Sequence, residues 1–128
     1  MKLLNPTDDQ LNAAFAERVA VLKVCDCGGW THLIAGASMI RFKDCKENCC
    51  PSVPKYCSSA DSVLPWLEKW NESWEVAYYS GTWNFAKERP KGDGSMMYGW
   101  VKDKSFPHAA VIALLRANGV EVVFDSPQ

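Results

Sequence analysis

Residues 74–101, WEVAYYSGTWNFAKERPKGDGSMMYGWV, decide the fold of this chain. The segment 74–79 alternates between two faces with the two-residue period of a half-buried strand. A turn at Gly81 leads to a second apolar run over 83–87, and a polar loop separates that run from a third at 96–101. A three-stranded meander with this much aromatic surface needs helices packed on it to be stable in water.

The predicted helices come before and after the meander in the sequence. A capping-box pattern at Thr7 and Gln10 opens a first helix from about residue 8 to 20. The second is predicted over 61–71, where apolar side chains recur at helical spacing and Pro65 fits the first turn. The third covers 108–118 after the N-cap Ser105, and it is apolar on almost every side, which predicts a buried helix lying flat on the sheet. Shorter strands are predicted at 21–25, 38–42 and 120–124.

These elements predict a mixed α/β (α+β) fold, a three-layer α/β/α sandwich with a central, mainly antiparallel sheet and about three helices. The chain has 128 residues, the length of a single domain, 1–128, with one core. The segment 44–58 has no period and is rich in cysteine. It is predicted to be a long loop, either ordered or held by a metal.

Composition argues against two classes of function. The formal net charge is −1, whereas a protein that grips a nucleic-acid backbone usually carries a surplus of Lys and Arg, so non-specific nucleic-acid binding is not expected. No apolar run approaches the ~20 residues that span a bilayer. Residues 1–6 are too short, and too soon followed by Asp8 and Asp9, for a signal peptide. The chain is therefore predicted to act in the cytoplasm without membrane association.

Six cysteines are the most unusual feature of the sequence: Cys25, Cys27, Cys45, Cys49, Cys50 and Cys57. A structural zinc ion needs four soft or borderline ligands, which these thiols can supply with His32 as a spare. The predicted metal ligands are Cys25, Cys27, Cys45, Cys49 and Cys57. The alternative, which the irregular spacing slightly favours, is reduced thiols packed as small apolar groups. Disulfides rank third, because the cytosol is reducing.

Two groups of residues are candidates for contact with a partner. Trp30 stands beside a Gly-Gly turn without a periodic partner, and tryptophan is enriched at interface hot spots. The other five tryptophans are explained by packing between sheet and helices. Lys87, Arg89 and Lys91 are predicted to lie in the loop of the meander. Such a loop is usually only solvated, but there these cations could contact nucleotide phosphates or the acidic surface of a host protein.

No catalytic arrangement stands out. The minimal nucleophilic pair would be a Cys25 or Cys27 thiolate with His32 as its base. The sequence places no orienting group or oxyanion donor beside that pair, so an enzyme is not expected. His108, in the first turn of a buried helix, is predicted to be structural, and Asp8 to be a charge at a helix start.

Three segments carry a resemblance to a known protein family. They are Leu11-Asn12 with Ala16-Glu17 and Val19, Pro54-x-Tyr56 with Ser58-Ser59 and Asp61, and Phe106-Pro107-His108-Ala109-Ala110 with Ala113-Leu114. In this order and spacing they resemble the phage ABA-sandwich domain, a family of small bacteriophage and prophage proteins. The resemblance runs from about residue 9 to 120. It implies an α/β/α fold, a phage or prophage origin and action inside the bacterium. It implies no activity, because the family is defined by its fold, and the Cys-rich segment is not part of its pattern.

The first hypothesis for function is a small non-enzymatic phage protein that binds a host protein and inhibits it, with a component of a bacterial defence system as the target. Homodimerisation through a sheet edge or an apolar surface is a related hypothesis. A second is a sponge in which a dimer cages a nucleotide signal between aromatic residues and Arg89 or Lys91. The remaining alternatives are a zinc-stabilised structural or interaction protein and an enzyme or redox protein that uses the cysteines.

Overall fold

The structure is a computed structural model that describes residues 1–21, 23–24, 30–31, 49–50, 53–70, 73–90 and 92–125. For the strands at 23–24, 30–31 and 49–50 it describes the backbone alone. The helices are α1 (Asp8–Arg18), α2 (Ala60–Glu68) and α3 (Phe106–Ala117), with a 3-10 turn at Tyr56–Ser58. The strands are β1 (Lys2–Leu4), β2 (Lys23–Val24), β3 (Trp30–Thr31), β4 (Cys49–Cys50), β5 (Trp74–Tyr79), β6 (Thr82–Glu88), β7 (Met96–Asp103) and β8 (Glu121–Val123).

These strands form three groups within the described part of the chain. Strands β5, β6 and β7 make an antiparallel sheet, as do the short strands β2, β3 and β4, whereas β1 and β8 pair in parallel. Together with the three helices they confirm the predicted mixed α+β class and its mainly antiparallel sheet. Helix α3 packs on β6 and β7, and α1 and α2 pack on α3. None of the described helices is long and apolar enough to cross a bilayer.

The predicted meander is present as β5, β6 and β7. Ser80 and Gly81 both have positive φ angles, 53° and 75°. Positive φ at both central positions is the requirement of a tight type I′ hairpin, whose twist matches that of the flanking strands. Between β6 and β7 the register shifts, because Phe85 lies opposite Val101 while Lys87 lies opposite Met97. The bulge that takes up the difference lies in β7.

One face of the meander meets α3 and forms the core. Phe85 is fully buried between the sheet and the helix, with its ring 5.8 Å from that of Trp74 and 6.0 Å from that of Phe106. Every residue from Ala109 to Leu115 is buried as well. The sequence predicts that the last helix is buried because it is apolar on almost every side, and this prediction is confirmed.

Helix α1 begins with the capping box that the sequence predicts. The backbone N–H of Thr7 donates to Gln10 Oε1 at 2.9 Å, and the backbone N–H of Gln10 donates to Thr7 Oγ1 at 3.2 Å. These bonds satisfy two amides that have no partner inside the helix. Below this cap the Phe15 ring lies 4.3 Å from the ring of Tyr56, which joins α1 to the 3-10 turn.

Helix α2 differs from its predicted bounds. Ser59 caps it by accepting from the Ser62 backbone N–H at 3.3 Å, so the helix starts at Ala60 and ends at Glu68. The interpretation that Pro65 belongs to the first turn is wrong, because Pro65 is the sixth helical residue. The missing proline N–H and the bulk of the ring disturb one helical hydrogen bond at that position.

The parallel pair of β1 and β8 brings the two ends of the described chain together. The strand predicted at 120–124 is confirmed as β8, but its partner β1 is not predicted, because three residues carry no recognisable period. Asn5 Nδ2 donates to Asp125 Oδ2 at 2.8 Å, and the Asp125 backbone N–H donates to Asn5 Oδ1 at 2.9 Å. This reciprocal pair continues the contact beyond the strands.

Two further strand predictions have different outcomes. The strand predicted at 21–25 is present as β2, whereas the one at 38–42 lies outside the described residues. Within the Cys-rich segment 44–58 the structure places β4 and the 3-10 turn, so this segment contains regular pieces that its lack of period does not reveal.

Candidate functional site

The structure locates only part of the predicted zinc ligands. Cys25, Cys27 and Cys45, like the spare ligand His32, lie outside the described residues. Cys49 is in β4, opposite Thr31 of β3, but its side chain is not described. A zinc ion held by these thiols therefore stays a prediction.

Cys57 is the member of the predicted ligand set whose side chain the structure describes. It is 3% exposed, and its backbone N–H donates to Asn12 Oδ1 at 2.9 Å across 45 residues of sequence. Burial raises the pKa of the Cys57 thiol to about 12, and the negative charges of Asp8 and Asp103 add to that effect. A thiolate at this position would need a positive charge beside it.

Cys57 lies in a group of four side chains, which we call the polar cluster: Asp8, Cys57, Asp103 and His108. Four local structures meet there, namely the start of α1, the 3-10 turn, the end of β7 and the start of α3. One ligand-type atom from each of Asp8, Cys57 and His108 lies within 4.8 Å of the other two. Asp8 and His108 were assigned to helix ends from the sequence, and their proximity to Cys57 was not predicted.

His108 is held between the two carboxylates of the polar cluster. Its Nδ1 lies 2.6 Å from Asp103 Oδ2, and its Nε2 lies 3.4 Å from Asp8 Oδ1. Asp103 also accepts the Ser105 backbone N–H at 2.9 Å. The hydrogen bond to Asp103 raises the pKa of His108, although burial works in the opposite direction. Burial by itself would raise the pKa of Asp103, but the hydrogen bonds from His108 and Ser105 outweigh it and leave that pKa lowered.

The polar cluster contains a thiol, an imidazole and an orienting carboxylate, the groups of a nucleophilic triad. Two observations argue against that role for Cys57. Its side chain is almost inaccessible to a substrate, and its pKa is raised rather than lowered, so the reactive thiolate is scarce. The arrangement is better suited to holding an ion than to attacking a carbonyl group.

A second feature lies on the face of the meander opposite α3. We call it the tyrosine face, and it is lined by Glu75, Ala77, Tyr79, Asn84, Ala86, Tyr98 and Gly99. Tyr79 is 60% and Tyr98 is 76% exposed, whereas Ala86 and Asn84 between them are buried. The two rings therefore border a shallow depression with a floor of small side chains.

The predicted partner-binding residues lie elsewhere. The sequence places Lys87 both at the end of the second apolar run, 83–87, and in the meander loop. The structure confirms the strand and not the loop, because β6 continues to Glu88 and includes Lys87. The Lys87 Nζ lies 5.2 Å from the centre of the Trp100 ring, so the ammonium group makes a cation–π contact within the chain. Trp30 is in β3, but its side chain, like all of Lys91, is not described.

Arg89 is exposed, and its backbone N–H donates to the Ser95 carbonyl at 2.9 Å, which closes the meander loop. The Ser95 hydroxyl donates to Asp93 Oδ1 at 2.6 Å, and this bond together with the Ser95 backbone N–H holds the pKa of Asp93 below its usual range. These bonds hold together the described part of the loop, residues 89–90 and 92–95. Whether Arg89 and Lys91 contact a nucleotide or a host protein stays a prediction.

Comparison with known proteins gives a fold but no family. No protein-family model and no curated protein matches this chain. Among solved structures, a phage protein from Bacillus cereus ATCC 14579, known from a 2.0 Å crystal structure, is similar in fold. The TM-score is 0.57 and the sequence identity 16%, and the match covers 92% of this chain and 93% of that chain. The two chains share a fold along nearly their whole length, while membership of the ABA-sandwich family stays a prediction.

Proposed function

We propose that this chain is a small non-enzymatic protein of phage or prophage origin that binds a host protein through the tyrosine face and inhibits it by steric blocking. The target we favour is a component of a bacterial defence system in the host cytoplasm. The observation that carries the proposal is the pair of exposed rings, Tyr79 and Tyr98, on either side of a floor of small side chains. The fold shared with a phage protein supports the proposed origin.

Tyrosine is suited to such a surface. It offers a large apolar ring with few rotamers and a hydroxyl that can bond a partner, and it is enriched at the energetic centres of interfaces. Tyr79 and Tyr98 are mostly exposed, so they add little to the core of this chain. Glu75 and Lys102 are exposed charged residues on strands of the same sheet. Charges at the rim of an interface mainly orient the partner and speed the encounter.

The test is affinity capture of the tagged chain from bacterial lysates, with mass spectrometry of the retained protein. The wild-type chain is expected to retain one host protein in stoichiometric amount. The double variant Tyr79→Ser/Tyr98→Ser is expected to lose it, because truncation of a hot-spot side chain typically costs more than ~1–2 kcal/mol, or roughly 10-fold in affinity per residue. Titration calorimetry with the purified partner measures the loss.

Tyr78 provides the matched control. It is 59% exposed and lies in the same strand, but it points to the other face of the sheet, where its ring lies 4.9 Å from that of Trp83. The variant Tyr78→Ser should retain the partner. Retention by the double variant would place the interface elsewhere and overturn the proposal. A chain that retains no host protein, but forms a dimer that the double variant loses, would replace host binding with homodimerisation.

A further inference from the structure

We propose that the polar cluster is a zinc site in which Asp8, Cys57 and His108 are the ligands, Asp103 positions His108, and water takes the fourth position. This site is independent of the proposed function, because it lies at the starts of α1 and α3, on the side of the sheet opposite the tyrosine face. It also differs from the predicted thiol site, with which it shares Cys57 alone.

The distances within the polar cluster suit a small tetrahedral ion. Zinc binds nitrogen and oxygen at about 2.0–2.1 Å and sulfur at about 2.3 Å, which places tetrahedral ligand atoms roughly 3.3–3.6 Å from one another. His108 Nε2 and Asp8 Oδ1 are already 3.4 Å apart. All three ligand atoms lie within 4.8 Å of each other. The sulfur therefore has to approach the other two by no more than about 1.5 Å to reach tetrahedral spacing. The Asp8 side chain is 66% exposed and has the freedom to adjust.

Asp103 prepares His108 for this role. A carboxylate that accepts from one ring nitrogen of histidine fixes the tautomer and leaves the other nitrogen with a lone pair for the metal. Asp103 Oδ2 lies 2.6 Å from Nδ1, which assigns Nε2 to the ion, and Nε2 is the nitrogen that faces Asp8. The Ser105 backbone N–H holds the second oxygen of Asp103 at 2.9 Å, so the orienting group is itself fixed.

The Cys57 side chain points to an ion independently of the His108 geometry. Its side chain is 3% exposed and directed at Asp8 and His108, and within the described residues no hydrogen bond engages its sulfur. A thiolate beside an imidazole selects zinc over magnesium or calcium, which prefer oxygen ligands. On binding, the S–H bond of Cys57 breaks, a Zn–S bond forms and the proton passes to solvent. The charges of the thiolate and of Asp8 then balance the charge of the ion.

Such an ion would join parts of the chain that are distant in sequence. Asp8 is the first residue of α1, Cys57 lies in the 3-10 turn, and His108 lies in the first turn of α3. Because an ion that binds the native state raises its stability, zinc is expected to increase the melting temperature. The effect expected of the ion is to stabilise the native state, because it would join the start of α1, the 3-10 turn and the start of α3.

Cobalt is the probe that distinguishes this site from a site made of several cysteines, because its spectrum reports the coordination number and the number of thiolate ligands. A site with Cys57 as its single thiolate gives a weaker charge-transfer band than a site with several. The full-length chain, stripped with a chelator, is titrated with Co²⁺ and then with Zn²⁺. We expect a single equivalent with four-coordinate visible bands and a thiolate charge-transfer band, which zinc displaces. The variant Cys57→Ser is expected to lose the charge-transfer band. Its persistence in that variant, or the absence of four-coordinate bands in the wild-type chain, would overturn the proposal.

Three further variants complete the test. Asp8→Asn, at an exposed ligand, should weaken cobalt binding about 10-fold or more without loss of fold, as checked by circular dichroism. Asp103→Asn should weaken it about 10–100-fold while leaving the four-coordinate spectrum in place, as expected for a positioning residue. Asp9→Asn is the matched control, since it removes the neighbouring acid outside the polar cluster and should leave affinity unchanged. If the Asp8 and Asp9 substitutions weakened cobalt binding equally, the loss of one negative charge would explain both effects, and the proposed site would be contradicted.

Discussion

Asn12 shows how one polar side chain can belong to the core. It is a polar residue of α1, yet it is buried and accepts the Cys57 backbone N–H at 2.9 Å. A buried amide is tolerated when it satisfies a group that would otherwise lose its bond to water. The partner is 45 residues away, and no local pattern in the helix could have revealed it.

Asn12→Ala should therefore be costly. It leaves the buried Cys57 N–H without its acceptor, and an unsatisfied buried donor costs about 1–3 kcal/mol. Urea denaturation in the presence of a chelator measures the loss in the free energy of unfolding. Glu17→Ala, at an exposed position of the same helix, is the control and should change it by less than about 0.5 kcal/mol. A similar small change for Asn12→Ala would mean that water replaces the amide.

Among the helices and strands, the sequence correctly predicted those whose formation depends on residues close together in the chain. The capping box at Thr7, the alternation in β5 and the apolar run before Gly119 each act within a few residues, and each gave the correct element. Strand β1 was missed because its pairing with β8, across the length of the chain, leaves no local signal, and the position of Pro65 in the interior of α2 was missed as well. Tertiary contacts of this kind override weak local preference.

The candidate sites also combine residues that a local signal identifies with residues that only the tertiary structure brings together. The cysteines drew attention to Cys57, but Asp8 and His108 each had a sufficient local explanation as residues of a first helical turn. They meet only because α1 and α3 start at the same corner of the fold. One local signal was available: Asp103, the N-cap position Ser105 and His108 stand close together in the sequence, at a predicted helix start. The tyrosine face depends on the register of β5 against β6, which the turn at Gly81 fixes.

Arg116 connects α3 to two different sheets through hydrogen bonds from one guanidinium group, so its substitution is expected to have a large effect on stability. Its Nη1 donates to the Trp100 carbonyl at 2.6 Å, and its Nη2 donates to the Val122 carbonyl at 2.8 Å. Arg116→Met keeps the apolar stem but removes both bonds, so we expect a loss of about 1.5–3 kcal/mol in the free energy of unfolding. Hydrogen exchange should become faster at the β8 amides.

Arg116→Lys separates geometry from charge in the same experiment. Lysine keeps the positive charge but lacks the planar fork that reaches two carbonyls at once. It should recover less than half of the loss measured for Arg116→Met. Full recovery by lysine would show that the charge near the end of α3, rather than the bridge between the sheets, is what stabilises the fold.

At the scale of the whole molecule, the two candidate sites are on opposite sides of one core. The polar cluster lies where the helices start, and the tyrosine face lies on the side of the meander that α3 does not cover. Between them stands the layer of Phe85, Val101 and the buried face of α3. The effects of substitutions at sites that share no residue and no partner usually add. Partner binding and ion binding should therefore respond independently to substitution.

Substitution of Phe85 measures how much the layer between the sheet and α3 contributes to the free energy of unfolding. It is fully buried at the centre of the middle strand and contacts both Trp74 of the sheet and Phe106 of α3. Phe85→Ala opens a cavity that rigid neighbours cannot fill, at a cost of about 3–5 kcal/mol. The free energy of unfolding of a typical domain is about 5–15 kcal/mol in total. The alanine variant should therefore unfold at a much lower denaturant concentration than the wild-type chain. Phe85→Leu keeps much of the apolar volume and should lose markedly less. If the alanine variant lost under ~1 kcal/mol, α3 would have to repack freely on the sheet, and the sheet would not be the fixed platform that presents the tyrosine face.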